Sequence, residues 1–265
     1  MPGHTPPRRT ESIVFHDLQQ GGRTEDLPYY RELAGRAGST LELGAGTGRV
    51  ALELAGLTDL WANDLDDPLL EELVRRAKAR GLSVTPVPGD ATKLDLGRSF
   101  DLIIAPIGLA QTIGGRCQRQ ALLRVISRHL AVSGLAVVAI VDVDEVLREC
   151  ATPAPRQRLR ARGRTFVCQQ LAVTETEGGA QVTWKRGVHR RSAGRLTSRP
   201  IAPAVLTYQR VSPEDLAADA RACGLHAPHV HHDPGDATSL GSAYCVLRPI
   251  GKPRPSADAG ADGPP

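Results

Sequence analysis

The feature that most constrains the fold is a glycine-rich loop between an apolar run and a segment with helical spacing. The motif that contains the loop is Leu41-Glu42-Leu43-Gly44-Ala45-Gly46-Thr47-Gly48-Arg49. Its first three residues end the apolar run Ser39–Leu43. Glycines at a strand-to-helix turn let the chain turn tightly and let a ligand approach the backbone. The N-terminus of the following helix offers free N–H groups. The loop therefore predicts a ligand-binding strand–turn–helix unit.

Strand-like and helix-like segments alternate over the first half of the chain. Strands are predicted at 39–43, 59–63, 83–87, 100–105 and 134–141, and helices at 47–55, from 67 to the stop at Gly81, and at 118–130. In the second helix we expect Asp67 to be the N-cap and Pro68 to take the first helical position. Five strands alternating with helices are typical of a doubly wound, mainly parallel α/β sheet.

The pattern changes after Val141. Strand-like segments at 165–176, 180–189 and 204–211, joined by Gly-rich turns, predict an antiparallel insert. Ser212 then caps one more helix, Gly224 ends it, and strands at 226–232 and 242–248 complete the sheet. We expect an unstructured tail over 1–11, a ligand-binding domain over 12–150, the insert over 151–211, completion of the sheet over 212–250, and a second unstructured tail over 251–265.

Charge is distributed unevenly between these regions. Residues 151–200 contain eleven basic and two acidic residues, whereas the rest of the chain contains 22 basic and 27 acidic residues. Five arginines alternate along one segment, so in an extended chain they would all point the same way: Arg156, Arg158, Arg160, Arg162 and Arg164. The row is either a solvated face or a rim that attracts an anionic substrate.

Several classes of protein are disfavoured by composition. The five cysteines are scattered, with no CxxC pair, which argues against a disulfide framework or zinc ribbon and favours a cytoplasmic location. Among the histidines near residue 230, only His229 and His231 share a strand face, so no metal site is predicted. No apolar run reaches the ~18 residues needed to span a bilayer, and no secretory signal is recognised. Aromatic residues make up 3%, which disfavours single-stranded nucleic acid as a partner.

Two acids after the loop narrow the kind of ligand. A dinucleotide fingerprint requires a third glycine where Arg49 stands, so the loop is of another type. Asp64 lies twenty residues beyond Gly44 at the end of the second strand, where a carboxylate can accept both ribose hydroxyls. Asp90 follows the third strand, where it can accept from an adenine amine or cap a turn.

These motifs, with Phe100–Ala105 and Pro106 after them, resemble class I S-adenosylmethionine-dependent methyltransferases of the small-molecule or tailoring type. The resemblance covers about residues 13–145 and continues more loosely to 248. It implies a Rossmann-like fold, S-adenosylmethionine as cofactor and an insert that faces the substrate. The residues it implies for cofactor binding are Tyr30, Glu42, Gly44, Ala45, Gly46, Gly48, Arg49, Asp64, Leu65, Asp90, Ala91, Ala105, Pro106 and Ile107.

By the same resemblance, these residues divide the cofactor between them. Glu42 and the glycine loop would hold the methionine part, Asp64 the ribose, and Asp90 with Ala91 the adenine. Residues 105–107 would line the methyl side. Tyr30 matches a tyrosine that precedes the first strand in this family and approaches the cofactor.

The chain departs from the family after the fourth strand, where a histidine often follows. Here the segment is Gly108-Leu109-Ala110-Gln111-Thr112-Ile113, so no histidine base is expected there. Asn63 and Asp66 also replace residues that are more common beside the ribose acid. Gln111, Thr112 and His189 are candidates for substrate contact, and no catalytic residue is assigned.

The sequence therefore predicts methyl transfer to nitrogen or oxygen of a small-molecule acceptor by in-line displacement. An anionic acceptor is favoured if the basic insert covers the substrate mouth. One alternative is an RNA methyltransferase using the Arg-rich insert, which the lack of a recognisable RNA-binding module disfavours. Another is a non-catalytic binding protein of the same fold. We expect a monomer or a homodimer, with no membrane partner.

Overall fold

The computed structural model describes residues 6–20, 23–149, 156–161, 163–192, 195–233 and 242–251. Its strands are β1 (Ser39–Leu43), β2 (Asp59–Asp64), β3 (Thr85–Pro88), β4 (Phe100–Ala105), β5 (Leu130–Val141), β6 (Gln157–Ala161), β7 (Arg164–Thr176), β8 (Gly179–Ser192), β9 (Arg195–Gln209), β10 (Leu225–Asp233) and β11 (Ser242–Pro249). Its helices are α1 (Arg9–Gln20), α2 (Leu27–Ala34), α3 (Ala51–Leu54), α4 (Asp67–Ala79), α5 (Leu109–Thr112), α6 (Arg116–His129), α7 (Val143–Glu149) and α8 (Pro213–Ala222). None of these helices is both long and apolar enough to cross a bilayer.

The main sheet has seven strands in the order β10-β11-β5-β4-β1-β2-β3. Strands β1 to β5 run parallel to one another. Strand β11 pairs with β5 in antiparallel orientation, and β10 pairs with β11 in the same way. The predicted doubly wound, mainly parallel sheet is confirmed. The strand order reverses between β1 and β4, and such a reversal opens a ligand crevice at the carboxyl ends of the strands.

The main sheet is buried on both faces, which explains the continuous apolar runs of its central strands. Successive side chains of β4 point to opposite faces: Ile103 packs in the cluster that includes Leu122 and Ile126 of α6. Its neighbour Ile104 packs in the other cluster, with Leu73 of α4. The two cores hold the ends of β1 and β4, and hence the crevice, at fixed positions.

The insert forms a separate four-stranded antiparallel sheet in the order β6-β7-β8-β9, as the fold prediction required. The strand β6 had not been predicted. The chain turns back at Gly163, so Arg164 lies on β7 beside Ala161 rather than continuing the row of Arg158 and Arg160. The prediction that five alternating arginines point the same way is therefore wrong; Arg162 lies outside the described residues.

The N-terminal segment is helical where an unstructured tail was expected. Helix α1 begins at Arg9, so the expectation for residues 1–11 fails from that residue onward, and residues 1–5 lie outside the described residues. Phe15 of α1 is fully buried against Phe166 of the insert sheet, with ring centroids 5.7 Å apart. This contact stabilises a helix whose own short sequence gives only a weak signal. Of the predicted C-terminal tail, only Gly251 is described.

Two local predictions in the first half also change. The helix expected from Thr47 begins at Ala51, because residues 46–50 form turns around the glycine loop. The N-cap of α4 is Asp66 rather than Asp67: the Asp66 side chain accepts from the Leu69 N–H, and Pro68 follows in the first turn. The capping box of Ser212 and Asp215 at α8 matches the sequence prediction.

Candidate functional site

The glycine loop lies at the carboxyl end of β1, in the crevice that the strand order creates. Gly46 and Gly48 have φ angles of 55° and 93°, in the left-handed region that side chains disfavour. A Cβ on Gly48 would lie 2.8 Å from Leu73 of α4, and a Cβ on Gly46 would lie 2.5 Å from the ring of His16. The turn therefore requires glycine for both its conformation and its close packing.

Asp64 ends β2 and faces this loop. Its Oδ2 accepts from the Gly46 N–H at 2.7 Å, and its Oδ1 accepts from the Asp66 N–H at 2.9 Å. The next side chain, Leu65, is 75% exposed, which is unusual for a leucine beside a buried sheet. The pair presents a fixed carboxylate beside an apolar surface, a combination that suits the ribose and base of a nucleoside.

Beneath the loop lies a buried polar pair. Glu42 and Tyr30 are 2% and 0% exposed, and within the described residues neither Glu42 Oε2 nor the Tyr30 hydroxyl has a hydrogen-bond partner. Burial raises the pKa of Glu42 to about 8, although the positive charge of Arg49 opposes that rise. Unpartnered buried polar atoms are rare and costly, so a ligand group that satisfies them would bind favourably here.

Arg49 is not a partner of these two atoms; its described hydrogen bonds go to Asp26 and to the Arg23 carbonyl. It donates two hydrogen bonds to Asp26, each 2.6 Å long, and a third to the Arg23 carbonyl. These three bonds use three of the five N–H groups of the guanidinium, so the predicted contact of Arg49 with the cofactor stays a prediction. Its positive charge still faces Glu42.

The third segment predicted to bind the cofactor follows β3 and contains Asp90. Asp90 Oδ1 accepts from the N–H and hydroxyl of Thr92, and the Lys93 ammonium lies 3.0 Å from Oδ2. The Thr92 hydroxyl bond, followed by the Thr92 N–H and Lys93, lowers the pKa of Asp90 to about 2. Asp90 therefore does cap its turn, and its 37% exposed side chain stays ionised and able to accept another donor.

Asn63, a departure from the family pattern, has a structural role here. Its Nδ2 donates at 2.8 Å to the carbonyls of Val87 and Gly89. These bonds hold the segment before Asp90 against the end of β2. Asn63 Oδ1 is buried without a partner among the described residues, and so is a further acceptor beside the base end of the site.

The end of β4 completes the crevice. Ile107 has a φ angle of 49°, and a positive value is a strained conformation for a β-branched residue. The turn brings Leu109 next to the loop, since a Cβ on Gly44 would lie 3.2 Å from it. Ala105 is fully buried and Pro106 follows it directly, so residues 105–107 form one wall near the glycine loop.

The candidate substrate residues do not form one site. Gln111 is fully buried, and its amide bonds the N–H and carbonyl of Val141 and the carbonyl of Gln209. These bonds commit its amide to joining the two sheets, which disfavours the predicted substrate contact. Thr112 donates to the Leu109 carbonyl within its own short helix. His189 of β8 pairs with Ser198 of β9. It lies ten residues beyond Gly179, the β8 residue that pairs with Gln209, which corresponds to roughly 33 Å of extended chain.

Two residues of the crevice were missed from the sequence because they lie on α1. Thr47 of the loop donates to Asp17 Oδ1 at 2.7 Å, and its Oγ1 is 3.3 Å from His16 Nδ1. The only signal was the apolar spacing of Val14, Phe15 and Leu18 after a Pro- and Arg-rich stretch. No group of three metal-binding side chains occurs in the part of the chain that the structure describes.

The strand order, the positive-φ glycine loop and the acid at the end of β2 define the Rossmann-like fold of class I methyltransferases. Residues 40–134 match the family model described as a methyltransferase domain. Over these residues the chain is similar to a methyltransferase domain, and the resemblance predicted from the sequence is confirmed to that extent. No curated protein sequence matches the chain.

Solved structures share the fold over nearly the whole chain. DesVI of Streptomyces venezuelae is 18% identical, with 90% of this chain and 98% of that chain covered and a TM-score of 0.68. The sugar N-methyltransferase KedS8 of Streptoalloteichus sp ATCC 53650 is 18% identical, with 94% and 96% covered and a TM-score of 0.68. CalS10 of Micromonospora echinaspora, an amino pentose methyltransferase solved with S-adenosylmethionine bound, is 19% identical, with 89% and 96% covered and a TM-score of 0.64.

Proposed function

We propose that the protein methylates an amino group of a small-molecule acceptor, with S-adenosylmethionine as donor. The observation that carries the proposal is the pair of unpartnered buried atoms beneath the glycine loop, Glu42 Oε2 and the Tyr30 hydroxyl. A carboxylate and a phenol can both accept from an ammonium group, and the methionine part of this cofactor carries one. The residues present therefore fit the cofactor.

The other contacts follow from the crevice. Asp64 accepts from the ribose hydroxyls, and the exposed Leu65 covers one side of the base. Asp90, held ionised by Thr92 and Lys93, accepts from the exocyclic amine. Residues 105–107 border the space for the methyl group and the acceptor. When bound, the cofactor supplies a methyl group on a positively charged sulfur, which is a good leaving group.

The chain's own contribution to the reaction is then alignment and exclusion of water. The rigid ends of β1 and β4 hold donor and acceptor in line, and such positioning contributes several kcal/mol to catalysis. An amine that enters neutral needs little base, whereas a hydroxyl acceptor needs one. Gln111 is bound to backbone groups and no histidine occurs at 108–113, so nitrogen is favoured over oxygen. The names of KedS8 and CalS10 point to the same chemistry.

Titration calorimetry with S-adenosylmethionine tests the first step. We expect wild type to bind, and Asp64→Ala to bind at least about tenfold more weakly, because it loses hydrogen bonds to a charged acceptor. Asp59→Ala is the matched control, since Asp59 is exposed at the opposite end of the same strand. No binding to wild type, or equal effects of the two substitutions, would contradict the proposed site.

A transfer assay with a panel of amino sugars and matching hydroxyl sugars tests the acceptor. Methylation of amino compounds alone supports the proposal. Methylation of hydroxyl compounds alone contradicts it. Cofactor binding with no acceptor in a wide panel would favour a non-catalytic binding protein.

A further inference from the structure

Helix α1 carries a buried histidine to the centre of the glycine loop. A Cβ placed on Gly46 would lie 2.5 Å from Cε1 and 2.6 Å from Nε2 of His16, so the imidazole packs directly over that glycine. The helix is held there from both ends. Asp17 pairs with Arg76 of α4 at 2.5 Å, and the N-terminal Glu11 pairs with Arg199 of the insert at 2.5 Å. The position of the ring is therefore set by contacts of α1 with α4 and with the insert sheet.

A chain of hydrogen bonds sets the protonation of the two ring nitrogens. The Asp17 carboxylate can only accept, so the Thr47 hydroxyl gives its proton to Asp17 Oδ1. Thr47 Oγ1 can then accept from His16, whose Nδ1 lies 3.3 Å away. This arrangement places the proton of a neutral imidazole on Nδ1 and leaves a lone pair on Nε2, the ring nitrogen nearest Gly46.

The ring also lies close to Asp64, one of the two acids proposed to hold the cofactor. Gly46, under the ring, donates its N–H to Asp64, the ribose acid. Glu42, the acid for the methionine ammonium, lies two residues before Gly44 on β1. The sulfur atom of the cofactor connects these two parts of the molecule. In the proposed complex the sulfur therefore lies near Gly46, the residue that the ring of His16 covers.

We propose that His16 is a further residue of the cofactor site, and that its neutral ring, with Nε2 toward the sulfur, selects the methyl donor, whose sulfur is positively charged, over the product, whose sulfur is uncharged. The inference rests on the proposed function. S-adenosylhomocysteine, the product, has the same ammonium, carboxylate, ribose and adenine but no charge on sulfur. A lone pair favours the sulfonium, whereas an imidazolium in the same place repels it.

The charged groups around the ring determine how this selection varies with pH. Burial lowers the pKa of His16 below its ordinary value, although Asp17 of α1 and Asp64 and Asp66 at the end of β2 act to raise it; Arg76 of α4 lowers it further. The ring is therefore neutral at pH 7.5 and takes up a proton only below the ordinary range of histidine. Glu42 also titrates, but the His16→Gln variant retains Glu42, so comparison of that variant with wild type separates the contribution of Glu42 from that of His16.

The experiment is calorimetric titration of the full chain with S-adenosylmethionine and with S-adenosylhomocysteine, at pH 7.5 and pH 5.0. For wild type we expect the affinity for the donor to fall about tenfold more than the affinity for the product, as expected for adding one like charge at a short distance in a partly screened site. In His16→Gln, which keeps polar atoms but does not titrate, the ratio of the two affinities should not change with pH. His226→Gln removes an exposed histidine and is the control.

A second variant separates the inference from a defect in folding. Thr47→Val removes the acceptor for Nδ1–H and keeps the ring, so we expect a smaller preference for the donor at pH 7.5 in a protein with an unchanged circular dichroism spectrum. The inference is overturned if both ligands lose affinity equally on acidification, if His16→Gln keeps the wild-type pH dependence, or if His16→Ala binds the donor more tightly. Failure of wild type to bind either ligand at pH 7.5 would overturn the proposed function itself.

Discussion

At the scale of single residues, Glu42 connects the stability of the protein with its proposed activity. A carboxyl group that is 2% exposed, with one oxygen unpartnered among the described residues, is unfavourable in its charged form. That cost appears as a pKa raised to about 8. In the proposed complex, the ammonium of the cofactor compensates for the cost, so cofactor binding and ionisation of Glu42 favour each other.

The consequence for stability has a definite sign. Because the folded-state pKa of Glu42 exceeds the unfolded value, the folded protein binds more protons between pH 4.5 and 8, and its stability decreases as the pH rises through that range. Glu42→Gln removes this titration. Between pH 5 and pH 8 we expect wild type to lose roughly 3 kcal/mol of unfolding free energy that Glu42→Gln does not lose, measured by urea unfolding without ligand. The variant should also bind S-adenosylmethionine more weakly. An identical pH dependence in both proteins would contradict the raised pKa.

At the scale of secondary-structure elements, α1 joins the two sheets of the molecule. Its Glu11 is fully buried and accepts from Arg164 and Arg199 of the insert. Burial acts to raise the pKa of Glu11, but the hydrogen bonds from Arg199 and the Arg8 N–H outweigh it, so the pKa is lowered. Its Asp17, two turns later, bonds Arg76 and the glycine loop. The helix therefore connects the insert to the glycine loop.

Neutralising Glu11 tests this connection. Glu11→Gln leaves two arginines without their buried counter-charge, and we expect it to lower the free energy of unfolding by about 1–3 kcal/mol. Cleavage by a protease within α1 should become faster, since α1 would detach more often. Glu32→Gln breaks an exposed pair with Arg36 and should cost under about 0.5 kcal/mol. Equal losses in the two variants would show that α1 is not held in this way.

At the scale of the whole molecule, positive charge is concentrated in one part of the chain. The excess of basic residues lies in the insert, but Arg164 and Arg199 are paired with the buried Glu11. Arg158 and Arg160 of β6 are exposed and make no ion pair within the described residues. These two arginines, rather than the full predicted row, are the candidates for attracting an anionic acceptor.

Charge reversal at these two positions tests the anionic acceptor. With phosphorylated amino sugars as acceptors, we expect Arg158→Glu with Arg160→Glu to raise KM by about tenfold and to leave kcat and the Kd for S-adenosylmethionine unchanged. The effect should weaken in 0.5 M salt. The control is Arg36→Glu with Arg128→Glu, which changes the net charge equally on the other part of the molecule. An unchanged KM would assign Arg158 and Arg160 to an ordinary solvated face.

The sequence by itself determined the main sheet, the glycine loop and the acids at the ends of β2 and β3. These features depend on local rules: apolar runs form buried strands, and glycine permits the turns that follow them. The type of cofactor follows from the same features, because the chemistry of the loop and of Asp64 is carried within 25 residues of chain.

Only the tertiary structure decided how distant segments use their side chains. Gln111 was predicted to contact substrate, but Val141 and Gln209, 30 and 98 residues away, bind its amide. His16 carried no signal of its own and lies over Gly46 because Phe166, Arg76 and Arg199 hold α1 in place. Side-chain burial and pKa depend on what packs around a group in three dimensions, and contacts between segments far apart in the chain leave no periodic pattern in either one.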